Sequence, residues 1–305
     1  MKIDKKSVIF VGIMAALGCE VMYGLSYFFT KQATESAAPL DLLGWRFFVA
    51  AIAINICAMT GLIKINLKGK DLKPLLRIAL YFPVAYFIGE TVGIGNTTAS
   101  ESGVFLACIP VAALTASTLI LGKKPTTWQV TGIVITLVGV LVNVLAVGAS
   151  SSFSVFGYIC LLAAVISYAV YSVNVEKAAE FSEMEITYMM LVVGAAVFIP
   201  LSIGSAVIQG NISAMLSMPF KNINFLTAVL YQGVCCSVVA VFLGNVAIAK
   251  IGVNRASSFI GVSTVISIVA GALILNEPFT LYQTIGAIII VGGVYIANAG
   301  GKSKE

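Results

Sequence analysis

Two glutamates stand where a charge is costly. Glu20 and Glu90 each lie inside a long apolar run. An ionised group at the centre of a bilayer costs about 2.5–3.5 kcal/mol on insertion scales, so it is kept for binding, proton transfer or pairing. Neither has a basic residue three or four positions away in its own run, so each must find a partner elsewhere, hold a proton or bind a cation. Glu20, Tyr23, Gly24, Tyr27 and Lys31 recur at helical spacing and share one face; Tyr86, Glu90 and Gly93 share another. A carboxylate beside tyrosines suits an organic cation, with cation–π contact worth about 0.5–2 kcal/mol. It suits a proton equally well. The competing reading is packing: the glutamates would then pair with Arg46 or with polar groups such as Asn55, Asn143, Gln232 and Asn245.

Arg46 itself reads three ways: as the partner of Glu90 or Glu20, as a holder of a substrate carboxylate, or as a side chain snorkelling to the interface. Tyr168 and Tyr171 occupy one face of a later run, and Tyr231 lies in another; aromatics at such spacing either line a site or pack. Glu101, near the end of a run, is either a gate residue or a solvated loop position. The chain has no histidine, so a Ser-His or metal-His centre is excluded as an intramembrane catalyst. Its six cysteines lie in apolar runs and form no CxxC pair, so no metal is expected. No Walker motif is present, no nucleotide fingerprint follows a strand, and no cofactor is expected.

The elements that must hold these residues are apolar helices. Hydrophobic residues make up 59% and charged residues 10% of the 305, which leaves no room for a sizeable water-soluble domain. A spanning helix needs about 20 apolar residues. Ten such runs follow: Val8–Thr30, Leu42–Ile63, Leu75–Ile94, Gly103–Leu121, Trp128–Val147, Phe156–Asn174, Ile186–Ile208, Phe225–Ile248, Ser257–Leu275 and Leu281–Ala299. The first is too long for a cleaved leader and is read as a spanning helix. The stretch 209–224 is a loop with a short interfacial piece, and the break between the eighth and ninth runs falls at Lys250–Arg255. The expected fold is an all-α integral membrane protein of ten transmembrane helices.

The chain also repeats itself. Leu119-Ile120-Leu121, Thr126, Gln129, Gly132 and Gly139-Val140 recur at constant offset as Leu273-Ile274-Leu275, Thr280, Gln283, Gly286 and Gly293-Val294. Residues 1–148 and 155–305 are therefore two copies of a five-helix unit, joined by a Ser-rich connection at 149–154. With the N-terminus in the cytoplasm, about fifteen of the eighteen basic residues fall on the inside, which also places the C-terminus there. Five helices per copy is an odd number, so the second copy enters from the opposite side and the repeat is inverted around a central cavity. Lys123 then lies inside and its counterpart Glu277 outside, the reversal an inverted repeat predicts. The excess of basic residues serves topology and calls for no nucleic acid. The small-residue faces Gly132…Gly139 and Gly286…Gly293 are read as sites of close helix approach.

These residues resemble the EamA-type members of the drug/metabolite transporter superfamily. The resemblance rests on Tyr23-Gly24 through Lys31, on Pro39 through Arg46-Phe47-Phe48, on Thr98 through Gly103 with Pro110, and on Gly271 through Glu277-Pro278 with Gly286 and Gly293. Lys123 departs from the pattern where the first half commonly has Glu, and Thr264 stands where the first half has Pro110. The resemblance implies ten helices, both termini cytoplasmic, and a cavity between the halves. The function expected is secondary transport across a prokaryotic cell membrane, with a small organic metabolite, organic cation or amino acid as cargo and protons as the coupling ion in an exporter. An importer of a small amine or amino acid, and a non-transporting sensor or complex subunit, are the alternatives. The lipid bilayer is the remaining partner; no oligomeric state is implied.

Overall fold

The computed structural model describes residues 5–34, 36–97, 105–146, 154–274 and 281–299. Among them every regular element is helical. In order they are α1 (Lys5–Thr34), α2 (Pro39–Met59), α3 (Lys73–Gly95), α4 (Phe105–Leu121), α5 (Thr127–Ala146), α6 (Val155–Lys177), α7 (Glu183–Ile208), α8 (Ile212–Lys221), α9 (Ile223–Ile251), α10 (Val253–Ala256, a 3-10 turn Ser257–Phe259, then Ile260–Ile274) and α11 (Leu281–Ala299). Eight are long and apolar enough to cross a membrane; α4 and α5 are apolar but shorter over their described lengths, and α8 is a short connecting helix. The outer surface is apolar, with Phe10, Met59, Leu119, Ile159, Ile288 and Tyr295 exposed. Water would penalise such a surface, and lipid does not. The chain is thus a multi-pass membrane protein.

Local chemistry sets the helix ends. Pro39 opens α2, where its missing N–H would have had no partner. The Ser182 hydroxyl accepts from the Glu185 N–H while the Glu185 carboxylate accepts from the Ser182 N–H, a reciprocal cap that starts α7. The break expected at Lys250–Arg255 falls at Gly252 (φ 77°, ψ 162°), a conformation open to a residue without Cβ. One expectation needs correction. The second run stops at Met59 rather than Ile63, because Thr60 and the left-handed Gly61 turn the chain. Within the stretch 209–224 the short piece is the helix α8, which contains Pro219.

α3 and α9 are not regular. α3 passes through a π-helical segment at Leu80–Ala85 that contains Pro83, and α9 through one at Tyr231–Ala240. Moved by the offset that carries Leu119 onto Leu273, Leu80–Ala85 falls on Val234–Val239, inside the second π segment. The main core lies among α2, α3, α6 and α7, built around Phe47, Phe82, Phe87 and Phe198. A second core joins α1, α5, α9, α10 and α11.

α5 and α11 cross where the repeat motif recurs. A Cβ on Gly132 would lie 2.5 Å from the Gly293 carbonyl oxygen, and one on Gly139 would lie 2.8 Å from the Gly286 carbonyl oxygen. The two helices run antiparallel, and each motif glycine meets the other copy's opposite glycine. Such backbone approach excludes any side chain at the crossing. Pro110 is buried in the first turn of Ile109–Leu121, after an irregular turn at Cys108 that interrupts α4.

One face of the molecule carries three ion pairs. Lys70 meets Glu185 (2.8 Å), Lys250 meets Glu183 (3.0 Å) and Lys123 meets Glu176. Lysines from two connections and from the last turn of α9 thus converge on the acidic stretch 176–185.

Candidate functional site

The site lies where α1, α2, α3, α6 and α9 face one another. Arg46 is the single buried cation among the described residues, with 7% of its surface exposed. Its Nε donates to the Ser237 hydroxyl at 2.7 Å, and that hydroxyl donates to the Gln232 carbonyl at 2.9 Å. Gln232 and Ser237 are five apart within the π segment of α9, the spacing of a π turn. α2 comes close enough for this bond because Gly233 faces it: a Cβ there would lie 3.0 Å from the Arg46 carbonyl. The guanidinium carbon sits 4.7 Å from the centroid of the Phe87 ring and 5.8 Å from that of Phe47. Among the described residues no carboxylate is within ion-pair distance of Arg46.

Glu90 follows Phe87 by one turn of α3, within electrostatic reach of Arg46. The Tyr86 hydroxyl donates to its Oε1 at 2.8 Å. The Tyr86 ring meets that of Tyr168 edge-on at 5.9 Å. Tyr168 in turn lines a small cavity that also touches Glu20. Two tyrosines, Tyr86 and Tyr168, therefore link the surroundings of the two carboxylates.

Glu20 is buried, 7% exposed. Its cavity holds about 20 Å³, and Ala16, Cys19, Ser172, Gly244, Ala247 and Ile248 form much of its wall. That volume suits roughly one water molecule. Ser263 of α10 lies beside the Glu20 carboxyl, and its hydroxyl donates to the Ile260 carbonyl at 2.7 Å. Gly24 makes room for this: a Cβ there would lie 2.8 Å from the Ser263 carbonyl oxygen.

The other candidate residues take varied places. Tyr23 is half-buried on α1, within electrostatic reach of Arg46. Tyr171 is buried and donates to Asn245 Oδ1 (2.8 Å); Asn245 donates to Thr187 (3.0 Å), which ties α6, α9 and α7 together. Tyr231 donates to the Met22 carbonyl (3.0 Å) and stacks on Phe29 (4.1 Å), so it joins α9 to α1 and not to Arg46 or Glu90. Gly132, Gly139, Gly286 and Gly293 form the α5–α11 crossing. Glu101, Glu277, Pro278 and the side chain of Tyr27 lie outside the described residues.

Ser237, Ser263 and Phe87 were not singled out in the sequence, though they adjoin Arg46 and Glu20. Serine and phenylalanine are ordinary in apolar helices, and no spacing marks these three.

Comparison with known proteins matches the chain along its length. The sequence profile of the EamA-like transporter family matches residues 10–145 and again 155–299. An uncharacterized transporter of Bacillus subtilis (strain 168), YcxC, is 30% identical over 293 residues, covering 95% of this chain and 94% of its own. A protein of Escherichia coli (strain K12) named "Probable amino-acid metabolite efflux pump" is 23% identical over 288 residues, covering 93% of each chain. A solved crystal structure of 17% sequence identity covers 97% of this chain and 99% of its own with a TM-score of 0.74, a likeness of fold.

Proposed function

Because this chain belongs to the EamA-like transporter family, we propose that it is a proton-coupled secondary transporter that exports a small organic metabolite across the cell membrane. The observation that carries this reading is the pair of π segments in α3 and α9, at corresponding positions of the two copies. Interrupted helices at matching places in two halves are the sign of a binding site at the repeat interface. Around these segments stand Arg46, Tyr86 and Glu90, with Tyr168 leading to Glu20.

In this reading α4 and α5 also span, which makes ten transmembrane helices. The two copies, 1–148 and 155–305, are inverted, and both termini lie in the cytoplasm. The α5–α11 crossing supports inversion, since the motif glycines meet as a two-fold axis would pair them. The lysines that converge on 176–185 support their grouping on the cytoplasmic side. Transport proceeds by rocking the copies about the site, and the ion pairs open when the cytoplasmic side does.

Glu20 carries the coupling proton. Its cavity is water-sized and apolar, too small for an organic cargo. Among the described residues no cation is within ion-pair distance of it, and a carboxyl so placed is least costly with a proton on it. Glu90, beside Arg46, belongs to the cargo side. Export is favoured by the likeness to the Escherichia coli protein named as an efflux pump.

The test is proton movement in vesicles holding a pH-sensitive dye, driven by a mixture of the twenty L-amino acids and primary amines. Wild-type protein should move protons with cargo. Glu20→Gln should abolish the proton signal, and Glu90→Gln should lower flux in a protein that still folds. Coupled flux unchanged in Glu20→Gln refutes the proton role. Absence of flux in wild-type vesicles with every compound refutes transport of this cargo class.

A further inference from the structure

We propose that Arg46 is an anion-binding subsite whose two terminal nitrogens hold a carboxylate of the cargo. The proposal rests on the transport reading above and deepens it: the cargo is a monocarboxylate, and a simple organic cation is excluded.

The guanidinium is held at Nε, and its two terminal nitrogens carry no hydrogen bond among the described residues. Nε is its one nitrogen with a hydrogen bond among the described residues, to Ser237 at 2.7 Å. Ser237 is itself oriented, because its proton goes to the Gln232 carbonyl at 2.9 Å. Phe87 lies 4.7 Å beneath the guanidinium carbon and limits its tilt. The terminal nitrogens have no acceptor among the described residues. A cation held in an apolar surround without a counter-charge gains when an anion binds it. The open fork of a guanidinium matches two oxygens of a planar carboxylate.

The surroundings narrow the class. Glu90 is within reach of Arg46, but its Oε1 is occupied by the Tyr86 hydroxyl, and no ion pair forms. One cation balances one negative charge, and Arg46 is the sole buried cation among the described residues, so a phosphate dianion is poorly served. A bare amine would meet uncompensated like charge at the guanidinium. The rings of Phe87 and Phe47 lie 4.7 Å and 5.8 Å from the guanidinium carbon, and Tyr86 meets Phe87 edge-on, which suits an apolar body behind the carboxylate.

The test is binding, which separates it from flux. Purified full-length protein is heated with the twenty L-amino acids and with straight-chain monocarboxylic acids of two to eight carbons. Each acid that raises the melting temperature is compared with its amide, its methyl ester and the amine that lacks the carboxylate. At least one acid should stabilise the wild type, and its amide and ester should bind about ten- to a hundredfold more weakly. Arg46→Gln should bind acid and amide equally, and Arg46→Lys should restore part of the preference. If Arg46→Gln does not fold, the comparison of acid with amide on the wild type decides. The proposal is overturned if no acid stabilises the protein, if amides or amines match the acids, or if Arg46→Gln keeps the preference. Acid-selective binding without flux would instead count against the transport reading and leave the subsite intact.

Discussion

Glu176 offers a sharp separation of two forces. Its carboxylate pairs with Lys123 of the α4–α5 connection and also accepts the backbone N–H of Val253 at 2.7 Å. The second bond caps the start of α10, just after Gly252 turns the chain. The Lys123 side chain is 61% exposed and that of Glu176 11%. An ion pair with one partner so exposed is worth about 0–1 kcal/mol. A hydrogen bond from a helix-terminal N–H to a charged, mostly buried acceptor is worth about 1.5–3 kcal/mol. The cap should therefore outweigh the ion pair. Glu176→Gln keeps the shape and one acceptor but loses the charge, so about 1–2 kcal/mol should vanish from the cap.

Hydrogen exchange of the segment spanning Val253–Ala256 reads this opening energy directly. At about 1.4 kcal/mol per factor of ten, Glu176→Gln should speed exchange there roughly five- to thirtyfold. Lys123→Ala should speed it by about fivefold at most, and added salt should shrink that difference. Exchange that accelerates as much in Lys123→Ala as in Glu176→Gln would refute the ranking. Exchange unchanged in Glu176→Gln would refute the cap itself.

Two further substitutions probe the scaffold. Gly132→Ala places a methyl group 2.5 Å from the Gly293 carbonyl and should cost about 1–3 kcal/mol or more, seen as lost monodisperse protein on size exclusion; Gly292→Ala, with open space at its Cβ, should behave as wild type. Tyr171→Phe leaves Asn245 Oδ1 without its donor in a fully buried network, so thermal unfolding should reveal a loss of about 1–3 kcal/mol.

The charged members of the site were legible because a charge in an apolar run is conspicuous: Glu20, Arg46 and Glu90 needed no structure to be found. Their partners were hidden for a geometric reason. Ser237 lies 191 positions from Arg46, inside a π segment. A π turn inserts an extra residue, which rotates everything beyond it by about 100° relative to a 3.6-residue period. Helical spacing therefore does not carry across Tyr231–Ala240, so the sequence alone could not place Ser237 opposite Arg46. Tyr86 and Glu90 lie beyond the shorter interruption in α3 and within one regular stretch, so their i, i+4 pairing was readable and they meet at 2.8 Å. Helix ends marked by Pro39 and Gly252 were readable for the same local reason.

The duplicated motif and the charged site divide the work between them. The motif glycines occupy the α5–α11 crossing, where the two copies contact each other through backbone. Carried over at the motif's own offset, Glu20, Arg46 and Glu90 fall on Asn174, Pro200 and Gly244, none of them charged. A rocking mechanism needs this combination. Two end states of similar free energy follow when matching surfaces exchange roles, which asks for a symmetric scaffold. A buried charge raises the energy of any state that leaves it unpaired, so a second set in the other copy would add cost without adding a cargo. Lys123 shows the same logic at the rim. In its own copy it finds no acid among the described residues, and its carboxylate partner, Glu176, comes from the other. Lys123 thus ties the first copy to the second on one face, which in the mechanism proposed above alternately closes and opens.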